Sequence, residues 1–270
     1  STWQTGRVVR APCSAATRAK GAGSKAWQDF APALKAMGQC NGTATTTPFT
    51  SATISSISSK YSAEIGSETA SAVTSFKSSA LAMDSVSDLL DDSTSLQVVL
   101  GAYGLGSLAS DTDVVKTLLT QDPDSSTSLA QTSGNTAWLT FAEAFKAWGQ
   151  NNGQGSILSS SLIASVSSAF QSNMTSLVQN GLATFSAQAS GITTASALLA
   201  NTTVLQVVTG AYGVDAASNE STLINSLLTQ DPTSSTSLAK VSGNSTWQTF
   251  ATAFEVWGKS GGSVSAKPFT

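Results

Sequence analysis

The chain has 270 residues, of which only 11% are charged; its net charge is −3 and it contains no histidine. An ordinary soluble domain carries about 25% charged residues, and here Ser, Thr, Ala, Asn and Gln take their place. That composition suits a secreted or cell-surface structural protein. The missing histidine excludes Ser-His-Asp and Cys-His catalysis within the chain, and with them the usual His-containing zinc sites.

Residues 1–40 hold six Lys/Arg against one Asp, a local charge of +5 that leaves −8 for the rest. Neither interleaved aromatics nor a nucleic-acid motif accompanies these charges, so a solvated segment is favoured over a nucleic-acid or lipid contact. Trp27, Phe30, Ala31, Leu34 and Gly38 match Trp138, Phe141, Ala142, Phe145 and Gly149 at an offset of 111. Residues 1–45 therefore read as the C-terminal part of a degenerate first repeat. Pro32 stands inside its helix, where a proline costs about 3 kcal/mol. Cys13 and Cys40 both lie here; a disulfide between them and two free thiols are equally compatible with the spacing.

Two full copies follow, at 46–152 and 153–262, and 263–270 resembles the start of a further one. Leu118 to Pro123 recurs letter for letter as Leu227 to Pro232, and Gly101-Ala102-Tyr103-Gly104 as Gly210-Ala211-Tyr212-Gly213, each 109 positions on. A unit of this length is a domain, since solenoid repeats run about 20–50 residues. Each copy opens with apolar residues at 3–4 spacing among serines, over 53–82 and 156–186. These predict one long amphipathic helix per repeat, marginal alone because Ser and Thr are weak helix formers.

Shorter helices follow. Ser85 to Asp88 reads as a capping box ahead of Leu89-Leu90. A helix from Leu96 is stopped by Gly104, and one capped by Asp111 carries Val114, Val115, Leu118 and Leu119 and ends at Asp122-Pro123. In the last, Trp138, Phe141, Ala142, Phe145 and Trp148 form a single stripe, with Asn135 as cap and Gly149 as a left-handed stop. The predicted class is all-α: tandem small helical domains joined by long amphipathic helices.

Little of this carries chemistry. There is no Gly-x-Ser-x-Gly, phosphate loop or dinucleotide fingerprint. Asp88, Asp91 and Asp92 invite a calcium ion, but their counterparts Ala197, Ala200 and Asn201 lack the carboxylates, so a solvated helix end is the stronger reading. Tyr103, Trp138 and Trp148, with Tyr212, Trp247 and Trp257, are candidate interaction or core aromatics; core packing is favoured over a glycan-binding face.

The segment Val86 to Asp92 followed by Leu96 to Leu105, then Val115 to Leu119, Asp122-Pro123-Asp124-Ser125, Ala130 and Trp138 to Phe145, resembles a bacterial domain family of unknown function. Its genes are found with flagellar operons in alphaproteobacteria. The second copy matches at Leu198-Leu199, Ala211 to Val214, Asp231-Pro232 and Trp247 to Phe254, so the resemblance covers roughly 86–149 and 195–258. It brings no catalytic residues, and this chain is poorer in charge than the family. The expectation is a non-enzymatic, flagellum-associated structural or interaction protein of the cell surface. It is made in the cytoplasm, exported, and partnered by itself or by other surface or flagellar proteins. No cofactor, nucleic acid or membrane span is expected.

Overall fold

Polar side chains write the helix boundaries of this protein, and they do so twice. The structure, a computed structural model, describes residues 48–214 and 221–263. Cys13, Cys40, the basic segment, the degenerate repeat of 1–45 and nearly all of 263–270 lie outside them. The described residues form helices, short 3-10 turns and two isolated bridges, Ser85 with Gln154 and Thr194 with Ser263. The all-α expectation holds.

The first long helix, α1, spans Ser51–Ser79 and runs into a 3-10 turn at Ala80–Ala82. Then come α2 (Val86–Asp91), α3 (Ser93–Ala102), α4 (Thr112–Thr120), α5 (Leu129–Thr132), α6 (Thr136–Ala144) and α7 (Lys146–Gln150). The second long helix, α8, spans Ser160–Gln188. It is followed by α9 (Ala195–Ala200), α10 (Thr202–Gly210), α11 (Ser221–Thr229), α12 (Leu238–Val241), α13 (Ser245–Ala253) and α14 (Glu255–Gly258).

Hydroxyls, carboxylates and amides satisfy the free N–H groups at the helix starts, each contact worth about 1 kcal/mol. Thr50 Oγ1 accepts from the Thr53 N–H at the head of α1, and Ser159 Oγ from the Leu162 N–H at the head of α8. Asn135 Oδ1 accepts from the N–H groups of Ala137 and Trp138, and Asn244 Oδ1 from that of Trp247. Asp111 caps α4 as expected. Along the long helices, hydroxyls of Thr74, Thr175 and Ser176 donate to carbonyls four residues back, so these side chains are satisfied without charge.

The stops at Gly104 and Gly213 are left-handed, with φ of 70° and 65°. The Leu105 N–H returns to the Leu100 carbonyl at 2.8 Å and the Val214 N–H to the Thr209 carbonyl at 3.0 Å, closing the helix end over a buried apolar residue.

Two expectations need correction. The Trp/Phe helix is not continuous: Phe145 leaves helical geometry at φ −109°, ψ 21°, which separates α6 from α7, and Phe254 does the same at φ −109°, ψ 23°. The bend lets Phe145 and Trp148 stack, with ring centroids 5.7 Å apart. Gly149 is not a left-handed stop either. It lies inside α7, and the left-handed positions come later, at Asn152, Gly153, Gly261 and Gly262. A Cβ on Gly149 would overlap the Gln121 carbonyl oxygen; one on Gly258 would meet the Gln230 oxygen at 2.5 Å and Pro232 Cδ at 2.9 Å. The glycine is required by close approach to the Gln-Asp-Pro turn.

The residues pack as two compact units. One comprises 59–183; the other comprises 184–214 and 221–263 together with 48–58. The first has Phe76, Leu89, Leu100, Phe141, Phe145 and Trp148 at its centre, all fully buried. The other has Phe49, Phe185, Leu198, Phe250, Phe254 and Trp257.

Gly149→Ala is expected to destabilise the protein by about 1–3 kcal/mol through overpacking. Gly66→Ala, in an exposed stretch of α1 with open space around it, is expected to stabilise by about 0.5–1 kcal/mol. Urea denaturation of the two variants side by side checks both signs.

Candidate functional site

The strongest candidate for a site is the slot at which each Phe/Trp core receives a residue from outside it. In the unit of 59–183, the chain runs from the end of α1 through the core to Leu158, then enters α8. Leu158, Ile163, Val166 and Phe170 are buried in the same cluster as Phe76, Phe145 and Trp148. Asn173 Nδ2 on α8 donates to the carbonyls of Gly101 and Ala102 at 2.9 and 3.0 Å. It thereby ties α8 to the end of α3, where the Gly101 carbonyl also accepts from the Gly104 N–H at 3.2 Å.

In the other unit, the equivalent place is filled from upstream. Phe49, which stands 109 positions before Leu158, is 1% exposed. Its ring meets Phe185, Phe254 and Trp257 edge-on, with centroids 5.9, 5.7 and 5.8 Å away. Ile57, the counterpart of Val166, is fully buried. Edge-to-face aromatic pairs add about 0.5–1.5 kcal/mol each beyond burial. This unit is thus a circular permutation of the first: the same helix end, core and entering segment, with the entering segment taken from the other end of the sequence order. The repeat alignment contains the signal, since Phe49-Thr50 and Leu158-Ser159 are both apolar-hydroxyl pairs ahead of a long helix. Nothing in the sequence says which core receives Phe49.

The structure sorts the other candidate aromatics. Trp148 and Trp257 are fully buried. Their indole N–H groups donate to the carbonyls of Gly155 at 2.7 Å and Thr193 at 3.1 Å. Trp138 and Trp247 are half-buried at the heads of α6 and α13. Tyr103 and Tyr212 are half-buried against Phe141 and Phe145, and Phe250 and Phe254. Burial raises the pKa of both phenols, so they stay protonated at neutral pH.

The acidic group does capping work. Asp92 Oδ1 accepts from the Thr94 and Ser95 N–H groups, and its Oδ2 from the Ser79 and Ser95 hydroxyls. Desolvation pushes this carboxyl's pKa up, but the hydrogen bonds together outweigh it and hold the value below the usual 3.8. Asp88 Oδ2 accepts from the Asp84 N–H and the Ser85 hydroxyl, which lowers its pKa too. Asp91 is exposed. In the second copy Asn201 caps α10 through the Val204 N–H, so an amide can do the job. Among the described residues no three Cys, His, Asp or Glu converge on a point that could hold a metal ion.

The recurring Gln-Asp-Pro turn has a role that the sequence reading missed. Gln121 Oε1 accepts from the Leu129 N–H at 2.7 Å, and Gln230 Oε1 from the Leu238 N–H at 2.6 Å. Each glutamine pins the next helix start back onto the turn. Beside the second of these turns, Pro232, Lys240, Ser245, Gln248, Thr249 and Thr252 line a shallow open hollow that contains no carboxylate. No described helix is long and apolar enough to cross a membrane.

Phe49→Ala is expected to cost about 3–5 kcal/mol and Leu158→Ala about 2–5 kcal/mol, as large-to-small changes in a packed core; urea titration followed by tryptophan fluorescence reads both. For Asp92 the sign follows from its lowered pKa. Its stabilisation is complete above 3.8 and disappears as pH falls through the folded value. Asp92→Asn should keep the fold, as Asn201 does, and flatten the loss of stability below about pH 4 in denaturation curves.

No curated protein and no solved structure matches this chain. A family model described as a protein of unknown function, DUF1217, matches residues 102–216 and 211–270. The first match runs from the last residue of α3 through α8 to α10, and the second takes in α11 to α14. On that coverage, which is more than half of the sequence, the chain belongs to the DUF1217 family.

Proposed function

We propose that this is a non-enzymatic structural protein of the bacterial cell surface, flagellum-associated, whose repeats assemble with one another or with other surface and flagellar proteins. The observation that carries the reading is what the two copies retain in common. They share caps, left-handed stops, the Gln-Asp-Pro clamp, the close-approach glycine and the Phe/Trp core. The polar features that differ are the ones a reaction would need. The Asp88, Asp91 and Asp92 group has no carboxylate equivalent, and the ion pair between Lys146 and Asp124 falls on Glu255 and Thr233 in the second copy. Asp122 and Asp231 do recur, and each accepts the N–H two residues on within its turn, so the carboxylate they share is used in the architecture.

The low charge supports export to a surface, where hydroxyl-rich helices stay hydrated without strong fields. The flagellar association rests on the family resemblance. The reading predicts that an antibody against the protein detects it in sheared flagella or the surface fraction of the source bacterium, and that the purified chain associates as its concentration rises in analytical ultracentrifugation. A protein confined to the cytosol and monomeric at the highest attainable concentration overturns it.

A further inference from the structure

The two slots are alike, yet they are filled by segments at very different distances along the chain. Leu158 lies 10 positions after Trp148, whereas Phe49 lies 208 before Trp257. The entering segments share a short pattern: an apolar residue, a hydroxyl cap, then apolar residues five and eight positions on. It reads Phe49, Thr50, Ile54, Ile57 in one case and Leu158, Ser159, Ile163, Val166 in the other. The slot therefore recognises a capped helix start led by Phe or Leu, and its chain position is immaterial to the contacts made.

We propose that the slot formed by Phe185, Phe254 and Trp257 accepts residues 48–58 of a second copy of this chain, so that copies join head to tail. The entering segment and the slot are different surfaces. Such a contact is heterologous and builds rings or open filaments according to the rotation between copies. Within one chain the donor is tethered to the slot, so the segment of a second copy competes against a fixed effective concentration. Exchange is thus favoured by crowding or by folding side by side, as happens during assembly at a surface. The inference deepens the structural reading above and rests on it for the choice of a like copy as partner. Localisation tests that reading; the experiment below tests the slot alone.

Two full-length preparations, one isotopically heavy, are unfolded together, refolded at high protein concentration and counted by native mass spectrometry. Mixed pairs are expected. A Phe49→Ala chain, whose slot lacks its own occupant, mixed with a Trp257→Ala chain, whose Phe49 lacks its slot, should form at least about tenfold more pairs than either variant alone, because only the crossed contact regains that burial, which exceeds the roughly 1.4 kcal/mol that a tenfold change requires. Phe269→Ala, in the Pro-Phe-Thr string that repeats Pro48-Phe49-Thr50, serves as the control and should leave them unchanged. A synthetic peptide of residues 47–60 should raise the melting temperature of the Phe49→Ala chain, and the same peptide carrying alanine at that position should not. No excess of pairs in the Phe49→Ala and Trp257→Ala mixture over either variant alone, pairs abolished by Phe269→Ala alone, or a peptide without effect on the Phe49→Ala chain overturns the proposal.

Discussion

Each Phe/Trp core in this protein is closed by an apolar residue delivered at the head of a long helix. Everything else in the fold prepares that contact. The bend at Phe145 and Phe254 turns two rings so that they stack. The glycine at 149 and 258 lets the last short helix press against the Gln-Asp-Pro turn. The rings then present edges and faces to whatever enters. In one unit the entering residue is Leu158 and in the other it is Phe49, with three ring contacts. A small helical core of this kind has little surface to bury on its own, so one large apolar side chain is a sizeable share of its stability.

The second constraint is the near absence of charge. A chain with 11% charged residues cannot order its helix ends by ion pairs, and it uses neutral acceptors instead. Ser, Thr, Asn and Gln sit at the helix heads, and hydroxyls bond back to helix carbonyls. At Asp92 a carboxylate caps, and the other copy shows the amide of Asn201 in its place. The result is a surface with weak long-range fields, suited to packing like against like without self-repulsion.

Much of this was legible in the sequence because it is local. A cap needs one acceptor within three residues of a free N–H, so Asn135, Asp111 and Ser85 could be assigned from spacing. Gly104 and Gly213 could be assigned as stops because a left-handed position after a helix favours glycine. The burial of Trp148 and Trp257 followed from the apolar stripe. The misreadings have a physical cause as well. Gly149 sits where a terminating glycine would sit, but its reason is a backbone 28 positions upstream, at Gln121. The break at Phe145 is imposed by ring packing, and no helix-breaking residue marks it. Gln121 looked like part of a turn string because its partner, the Leu129 N–H, is eight residues on.

The sequence by itself determined the 109-residue repetition, most of the helices, the caps at their heads and the apolar faces; the caps and faces depend on residues within a turn or two of one another. Only the tertiary structure decided which segment completes which core. Phe49 and Leu158 carry the same local information, and local information cannot distinguish a donor 10 positions away from one 208 away. That choice is made by the path of the folded chain, and it turns two tandem copies into one permuted unit and one direct unit.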